Sequence, residues 1–285
     1  MNPPPLLRNR FAVLATMHRK EQAIAPLLEQ ELGIQIIIPP DLNTDVFGTF
    51  TRDVKRLGTQ IEAARAKAAK AIELTGQTLA LASEGSFGPH PLVPFLATNC
   101  EIVLLLDRSS GLELIGQAFS TETNYCHQRV GSLQEVRQFA QKVGFPEHGL
   151  VVMGEYPLAE ESQTTKGITC EDQLIEAVQV ALRHSQKVHL ETDMRALYNP
   201  SRMKVIRQAT QDLLRKIAQT CPQCCWPGFD IVERQPGLPC KLCHQPTQLT
   251  RSALYSCQHC EFSQEALFPD GRNTADPGEC EYCNP

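Results

Sequence analysis

The 285 residues carry 27 Lys and Arg against 32 Asp and Glu, a formal net charge of −5 with a pI near 5.9, so no global field draws the chain onto nucleic acid or anionic lipid. At 42% hydrophobic and 21% charged the chain can bury the core of one large domain plus a small one, which excludes a disordered tail. No apolar run approaches the about 20 residues of a membrane helix, and the opening "MNPPPLLRNRFAVLATMHRK" lacks a long apolar stretch with a small-residue cleavage site; the expected location is the cytoplasm.

In chain order, "RFAVLAT" reads as a buried strand and "KEQAIAPLLEQEL" as a helix with Ala23, Ile24, Leu27 and Leu28 on one face, Pro26 kinking it or lying in its first turn. "GIQIIIP" is a second strand, beginning at the glycine that stops the helix. Residues 58–75 form an alanine-rich helix with Ile61, Ala64, Ala68 and Ile72 at core spacing. "TLALAS" and "EIVLLLD" are strands, and "LELIGQAFS", entered through a turn at Ser109–Gly111, makes a hairpin with the latter. Helices are expected over 132–143, 171–184 and 200–219 around a strand at 149–153, with "NPPP" and "EYPLAEESQTTKG" as flexible segments. This rhythm predicts an α/β fold, a mixed or parallel sheet covered by helices, over 8–219.

Ligands of such folds bind at strand ends, and polar residues collect there. "ATMHRKE" brings Thr16, His18, Lys20 and Glu21; "DLNTDVFGTFTRD" brings Asp41, Asp45, Gly48, Thr49, Thr51 and Asp53; "SEGSFGPHP" brings Glu84 next to glycine. A carboxylate where glycines let backbone approach a ligand suits a hard divalent ion bridging phosphate oxygens; the competing reading is a tight turn in which Glu84 caps a neighbouring helix. "ETDMRALYNPSRMKVIRQ" places Asn199 as N-cap and Pro200 at N1 of a helix flanked by Arg195 and Arg202. That is either an anion site or an ion pair of Asp193 with one of the two arginines. His90 and His148 lie on expected loops, as acid–base groups or as exposed side chains. No GxSxG, HExxH or Walker-type loop occurs.

The succession of a strand, Thr and Lys, a Gly/Thr/Phe loop, "EAARAKAAKA" and a strand ending in an acid and glycine, over about residues 11–90, resembles the inosine triphosphate pyrophosphatase superfamily. The resemblance implies that Thr16 and Lys20 contact a triphosphate, that Glu62 and Lys67 add contacts from the helix, and that Glu84 binds magnesium. The whole chain also resembles an uncharacterised bacterial family that joins an α/β domain to a cysteine-rich tail.

Nine of the twelve cysteines crowd into that tail, eight of them as CxxC pairs: Cys221/Cys224, Cys240/Cys243, Cys257/Cys260 and Cys280/Cys283. Each turn aims two thiolates at one point, so four turns supply two tetrahedral sites, expected to hold structural zinc over 220–285, with iron the next choice. Disulfides are disfavoured in reducing cytosol. Pairing in sequence order is expected, a nested arrangement being the alternative; Cys225, His244 and His259 are read as neighbours of ligands. Residues 221–285 hold four Lys/Arg against eight Asp/Glu, the wrong sign for counterion release, so a structural or protein-binding module is expected rather than a nucleic-acid reader.

The functional expectation is a magnesium-dependent phosphohydrolase or related enzyme acting on a nucleotide or other phosphorylated metabolite. Glu84, Lys20 and His90 are the catalytic candidates; Thr16, His18, Lys67, Arg195 and Arg202 the phosphate ligands; Glu84, Asp45 and Asp53 the magnesium ligands. The alternative is a non-enzymatic adaptor whose zinc module binds a protein.

Overall fold

The first strand, β1 (Phe11–Ala15), is short, apolar and buried after its first residue, as an inner strand with neighbours on both sides requires. A computed structural model describes residues 4–40, 42–48, 58–154, 164–183 and 185–285. It divides into a larger unit, Leu7–Leu214, and a smaller one built on Arg215–Pro285.

In the larger unit β1 runs parallel to β2 (Gln35–Ile37) on one side and to β3 (Leu79–Pro89) on the other; β4 (Ala97–Asp107) and β5 (Leu112–Ser120) continue from β3 as an antiparallel meander, giving a mixed sheet in the order β2-β1-β3-β4-β5. Helix α1 (Glu21–Leu32) leads from β1 to β2, carries Pro26 in its interior and stops at Gly33, whose φ of 66° is the left-handed conformation that glycine adopts without cost. Helix α2 (Gln60–Thr75) starts at a Thr59–Glu62 capping box. Its inward face is Ala63, Ala64, Lys67, Ala68, Ala71 and Ile72; Ile61, expected there, is exposed. The small alanines let the helix lie close on Val13, Ala15, Ala80, Ala82, Ile102 and Leu104, and that closeness is what buries Lys67.

Strand β3 departs from expectation. The stretch "SEGSFGP", read as a loop after a strand ending at Ser83, continues the strand, and every residue from Leu79 to Pro89 has a partner in β4. An equally long antiparallel neighbour outweighs the weak strand preference of two glycines. Side chains alternate along β3 and β4, so Glu84 and Ile102 share the α2 side while Glu101 faces the other. On that other side lies α5 (Pro200–Ala218), admitted by Gly116, where a β-carbon would strike the backbone at Ala209 and Leu213.

A second sheet, antiparallel throughout, has the order β6 (His127–Val130), β9 (Val188–Thr192), β7 (Leu150–Gly154), β8 (Thr164–Ile168). Helices α3 (Leu133–Lys142) and α4 (Glu171–Leu182) cover one face, packing Val136, Phe139, Leu174 and Val178 on Val130, Leu150, Val152, Val188 and Leu190. β6 and β9 lie where no strand was expected. β8 occupies the end of "EYPLAEESQTTKG", expected to be flexible; its residues 155–163 lie outside the described residues. Among the described residues no helix is long and apolar enough to cross a membrane.

In the smaller unit β10 (Asp230–Pro236), β11 (Thr250–Ser256) and β12 (Ser263–Leu267) form an antiparallel sheet. Asp230 pairs with Ser256 and Ser256 with Ser263, whereas Leu267 pairs with Ser252. The CxxC turns before β10 and after β11 therefore meet at one end of the sheet, and those before β11 and after β12 at the other.

Candidate functional site

The two cysteine clusters follow from that topology. Cys221, Cys224, Cys257 and Cys260 form one group and Cys240, Cys243, Cys280 and Cys283 the other, all thiols of a group within 4.8 Å of one another. The pairing is interleaved, first with third and second with fourth, which corrects the expected sequential order; antiparallel strands carry successive turns to opposite ends. The residue after the second cysteine of the first three turns, Cys225, His244 and Glu261, has φ of 59–61°, and its N–H donates to the carbonyl of the turn's first cysteine at 2.9–3.0 Å. This tight reversal aims both thiols the same way. Cross-pair sulfur separations are 3.6–3.8 Å; a disulfide would need about 2.05 Å, and a tetrahedron with metal–sulfur bonds of about 2.3 Å has edges of about 3.8 Å. Both groups could hold metal ions, and the geometry and ligand set are consistent with zinc. His259 stacks on Trp226 with ring centroids 4.2 Å apart, a neighbour of the cluster rather than a ligand.

The larger unit contains a cavity of about 430 Å³. It opens at the carboxyl end of β1, where the chain has gone to β2 on one side and to β3 on the other, the switch point at which open α/β sheets bind ligands. The β1–α1 turn supplies Thr16, His18 and Lys20, α2 supplies Lys67, β3 supplies Ser83 to Phe87, and α5 with the segment before it supplies Arg195 and Arg202. The face of the second sheet opposite α3 and α4 adds Val151, Lys166, His189 and Glu191. Five lysine and arginine side chains, Lys20, Lys67, Lys166, Arg195 and Arg202, line it with three carboxylates, Glu84, Glu191 and Asp193, among the described residues.

The floor of the cavity holds buried charge. Lys67 makes an ion pair with Glu84, both side chains buried. Arg202, fully buried, donates from Nε to Glu101 Oε1 at 2.7 Å, from Nη1 to the Met194 carbonyl, and lies over the Phe87 ring with its Cζ 5.5 Å from the centroid. Gly85 makes room for this pair, since a β-carbon there would collide with both the Glu101 carboxylate and the Arg202 guanidinium. Lys20, at the start of α1, reaches the Ser83 carbonyl at 3.3 Å. Burial foremost, then the charges of Arg202 and Lys67, push its amine down to about 7, against the weaker pull of Glu84 and Glu101. The Ser83 hydroxyl is buried and has no hydrogen-bond partner among the described residues.

Nearer the mouth, Arg195 holds Asp193, Nη2 to Oδ2 at 2.6 Å, and Asp193 also accepts from the Gly167 N–H at 3.0 Å. His189 contacts Glu191 at 2.8 Å and lies beside His127, centroids 5.3 Å apart. Phe87 stacks on Tyr125 at 5.6 Å.

The structure thus brings Thr16, His18, Lys20, Lys67, Glu84, Arg195 and Arg202 to one cavity. Asn199 accepts from the Arg202 N–H at 2.9 Å, the cap anticipated for α5. Glu62 is spent on its capping box. His90 is not among the described lining residues: it sits in the turn after β3, its Nδ1 accepting from the Leu92 N–H at 3.1 Å and its ring edge-on to Phe119. Glu84 is neither at a strand end nor a helix cap; it is in mid-strand, facing Lys67. Asp41, Thr49, Thr51 and Asp53 lie outside the described residues, as does the side chain of Asp45. Sequence reasoning did not single out Ser83, Glu101, Lys166, His127, His189 and Glu191. The alternation of "VHLET", with Val188, Leu190 and Thr192 buried, is the signal that would have set His189 and Glu191 on a common face.

Comparison with curated proteins gives no match. A family model described as "Domain of unknown function (DUF6671)" matches residues 67–285, more than half of the chain, taking in Lys67, the β3–β5 meander, the second sheet and both cysteine clusters. The chain belongs to the DUF6671 family.

Proposed function

We propose that the larger unit is an enzyme that binds a phosphorylated small molecule in the cavity at the end of β1, and that the smaller unit is a structural module folded around two zinc ions. The observation that carries the first part is the gathering of Lys67, Lys166, Arg195 and Arg202, from separate elements of the fold, around one largely buried cavity. Concentrated positive charge with low-dielectric walls attracts an anion strongly, and guanidinium and ammonium groups on several elements can share the oxygens of a phosphate. The start of α1 adds the positive end of its dipole at the same place.

The more specific reading, hydrolysis through magnesium on Glu84, has less support. Glu84 is paired with Lys67, and among the described residues the cysteine clusters are the groups of three or more side chains arranged to hold a metal. A nucleotide is one phosphorylated ligand that the Phe87–Tyr125 pair would suit by stacking. The adaptor reading draws on Val232, Leu242, Leu267 and Tyr282, apolar side chains exposed on the smaller unit; its acidic balance argues for a protein partner over nucleic acid.

The test is a thermal-shift and calorimetric screen of the full chain against inorganic phosphate, nucleotides, sugar phosphates and their unphosphorylated counterparts, with and without magnesium. Phosphorylated compounds are expected to bind more tightly by at least tenfold. Equal binding of both classes, or none, overturns the reading.

A further inference from the structure

We propose that Lys20 is a covalent nucleophile whose ε-amino group forms an imine with the carbonyl carbon of a phosphorylated aldehyde or ketone, the Ser83 hydroxyl serving the carbonyl oxygen. The inference rests on the reading of the cavity as a phosphate-ligand site and goes further by naming the reacting group and the substrate class.

Three observations carry it. Lys67 and Arg202, the other buried cations of the floor, each face a carboxylate, Glu84 and Glu101 respectively. Lys20, only 7% exposed, faces instead a backbone carbonyl, that of Ser83 at 3.3 Å. A buried ammonium whose one acceptor among the described residues is a neutral carbonyl, with the fixed cations Lys67 and Arg202 nearby, is disfavoured, and the neutral amine, with its lone pair, is favoured. Ser83, the residue whose carbonyl Lys20 touches, lines the same cavity, and its buried hydroxyl, on a residue only 2% exposed, has no hydrogen-bond partner among the described residues. Buried hydroxyls are almost always satisfied, and an orphan on a residue that lines a cavity is poised to take a ligand's polar atom as its partner. Finally, Arg195 and Lys166 stand at the more exposed part of the cavity, so a ligand whose phosphate lies there directs its other end to the floor.

The step balances without an added reagent. The amine lone pair attacks the carbonyl carbon, the C–N bond forms and the C–O π pair moves to oxygen. The two amine hydrogens are transferred to that oxygen, the remaining C–O bond breaks, and water departs as the C=N bond closes. A hydroxyl both donates and accepts, so Ser83 relays these protons from nitrogen to oxygen.

The experiment uses the full chain with pyridoxal 5′-phosphate as probe, a phosphorylated aldehyde whose imine has its own absorption, followed by borohydride reduction and peptide mapping. The expected result is a reduced adduct on Lys20 at least tenfold above any other lysine, suppressed by millimolar inorganic phosphate, at least tenfold weaker with unphosphorylated pyridoxal, and absent from Lys20→Arg. Ser83→Ala is expected to slow imine formation about tenfold with the initial, noncovalent affinity for the probe unchanged, a split that a merely structural role would not give. Phosphate-competed binding without an adduct on Lys20 overturns the nucleophile and leaves the phosphate site standing. An adduct on Lys20 that forms equally with pyridoxal and ignores phosphate overturns the phosphorylated substrate class while keeping the nucleophile. Absence of both binding and adduct overturns both.

Discussion

Replacing Lys20 with methionine is expected to stabilise the protein, by an amount that depends on pH. The amine ordinarily titrates near 10.5 and is pushed down to about 7 in the folded chain. Between those values the unfolded amine holds a proton that the folded one has lost, so stability rises with pH across the window from about 7 to 10.5; below about 7 both forms are protonated and the folded protein bears the whole cost of the buried charge. The linkage amounts to about 4 kcal/mol at pH 7 and about 2 kcal/mol at pH 9. Methionine keeps the length of the side chain and forfeits the bond to the Ser83 carbonyl, worth about 1 kcal/mol, so the net gain is about 3 kcal/mol at pH 7, shrinking to about 1 kcal/mol at pH 9. Urea unfolding followed by far-UV circular dichroism reads this change, because α1 to α4 and most of α5 belong to the larger unit; the single tryptophan, Trp226, reports separately on the smaller one. A Lys20→Met protein that is less stable than its parent at pH 7, or whose difference from it is the same at pH 7 and pH 9, refutes the argument that this lysine is held in the cavity against its electrostatic preference.

Glu84→Gln is expected to cost about 3–5 kcal/mol, since it leaves the Lys67 ammonium buried without its carboxylate; adding Lys67→Met should restore most of the loss, and a double-mutant cycle in denaturant with no coupling would show that the pair is not formed. Gly85→Ala should destabilise by a similar amount by forcing Glu101 and Arg202 apart, whereas Gly88→Ala, where a β-carbon meets nothing within 4 Å, should stay within about 1 kcal/mol; equal effects in thermal melts would count against the buried pair. Metal analysis should find two zinc ions per chain, and Cys257→Ser should lose the ion shared with Cys221 and Cys224 while the other site persists. A chain ending at residue 249 retains the first two CxxC pairs and should bind no ion with four thiolate ligands in the native geometry; retention of one tightly held ion with a folded β10 would speak for sequential pairing instead.

What was legible in the sequence was whatever depends on near neighbours. The capping residues of α5, the hairpin of β4 and β5, the alanine face of α2 and the four CxxC turns all declare themselves over a few residues. What escaped depends on partners far along the chain. Glu84 reads as a loop carboxylate until β4 is laid beside it over eleven residue pairs. Lys67 reads as a phosphate contact, and what its sequence neighbourhood does not announce is its burial against Glu84, which follows from the alanines that bring α2 down onto the sheet. Strand β6 is the edge neighbour of β9, which lies between it and β7, and the polar His127, Gln128 and Arg129 of β6 and His189 and Glu191 of β9 interrupt the apolar runs that would have announced them. Thr16, Lys20, Lys67, Glu84, Arg195 and Arg202 were singled out as chemistry-bearing; the carboxylate that holds Arg202 was not, because Glu101 opens the apolar run "EIVLLLD" in the middle of β4 and nothing local marks it as buried.

The interleaved cysteine pairs bear on the order in which the smaller unit is made. During synthesis the thiols of Cys221, Cys224, Cys240 and Cys243 emerge before either pair has met its structural partner, and those four alone are a competent ligand set for one ion. In the finished sheet the strand β10, seven residues long, holds the two pairs apart by about 20 Å at about 3.4 Å per residue. A prematurely captured ion and the β10–β11 ladder are therefore mutually exclusive, and the nascent chain must either stay metal-free until Cys257 and Cys260 appear or exchange thiolates on a bound ion as the hairpin closes.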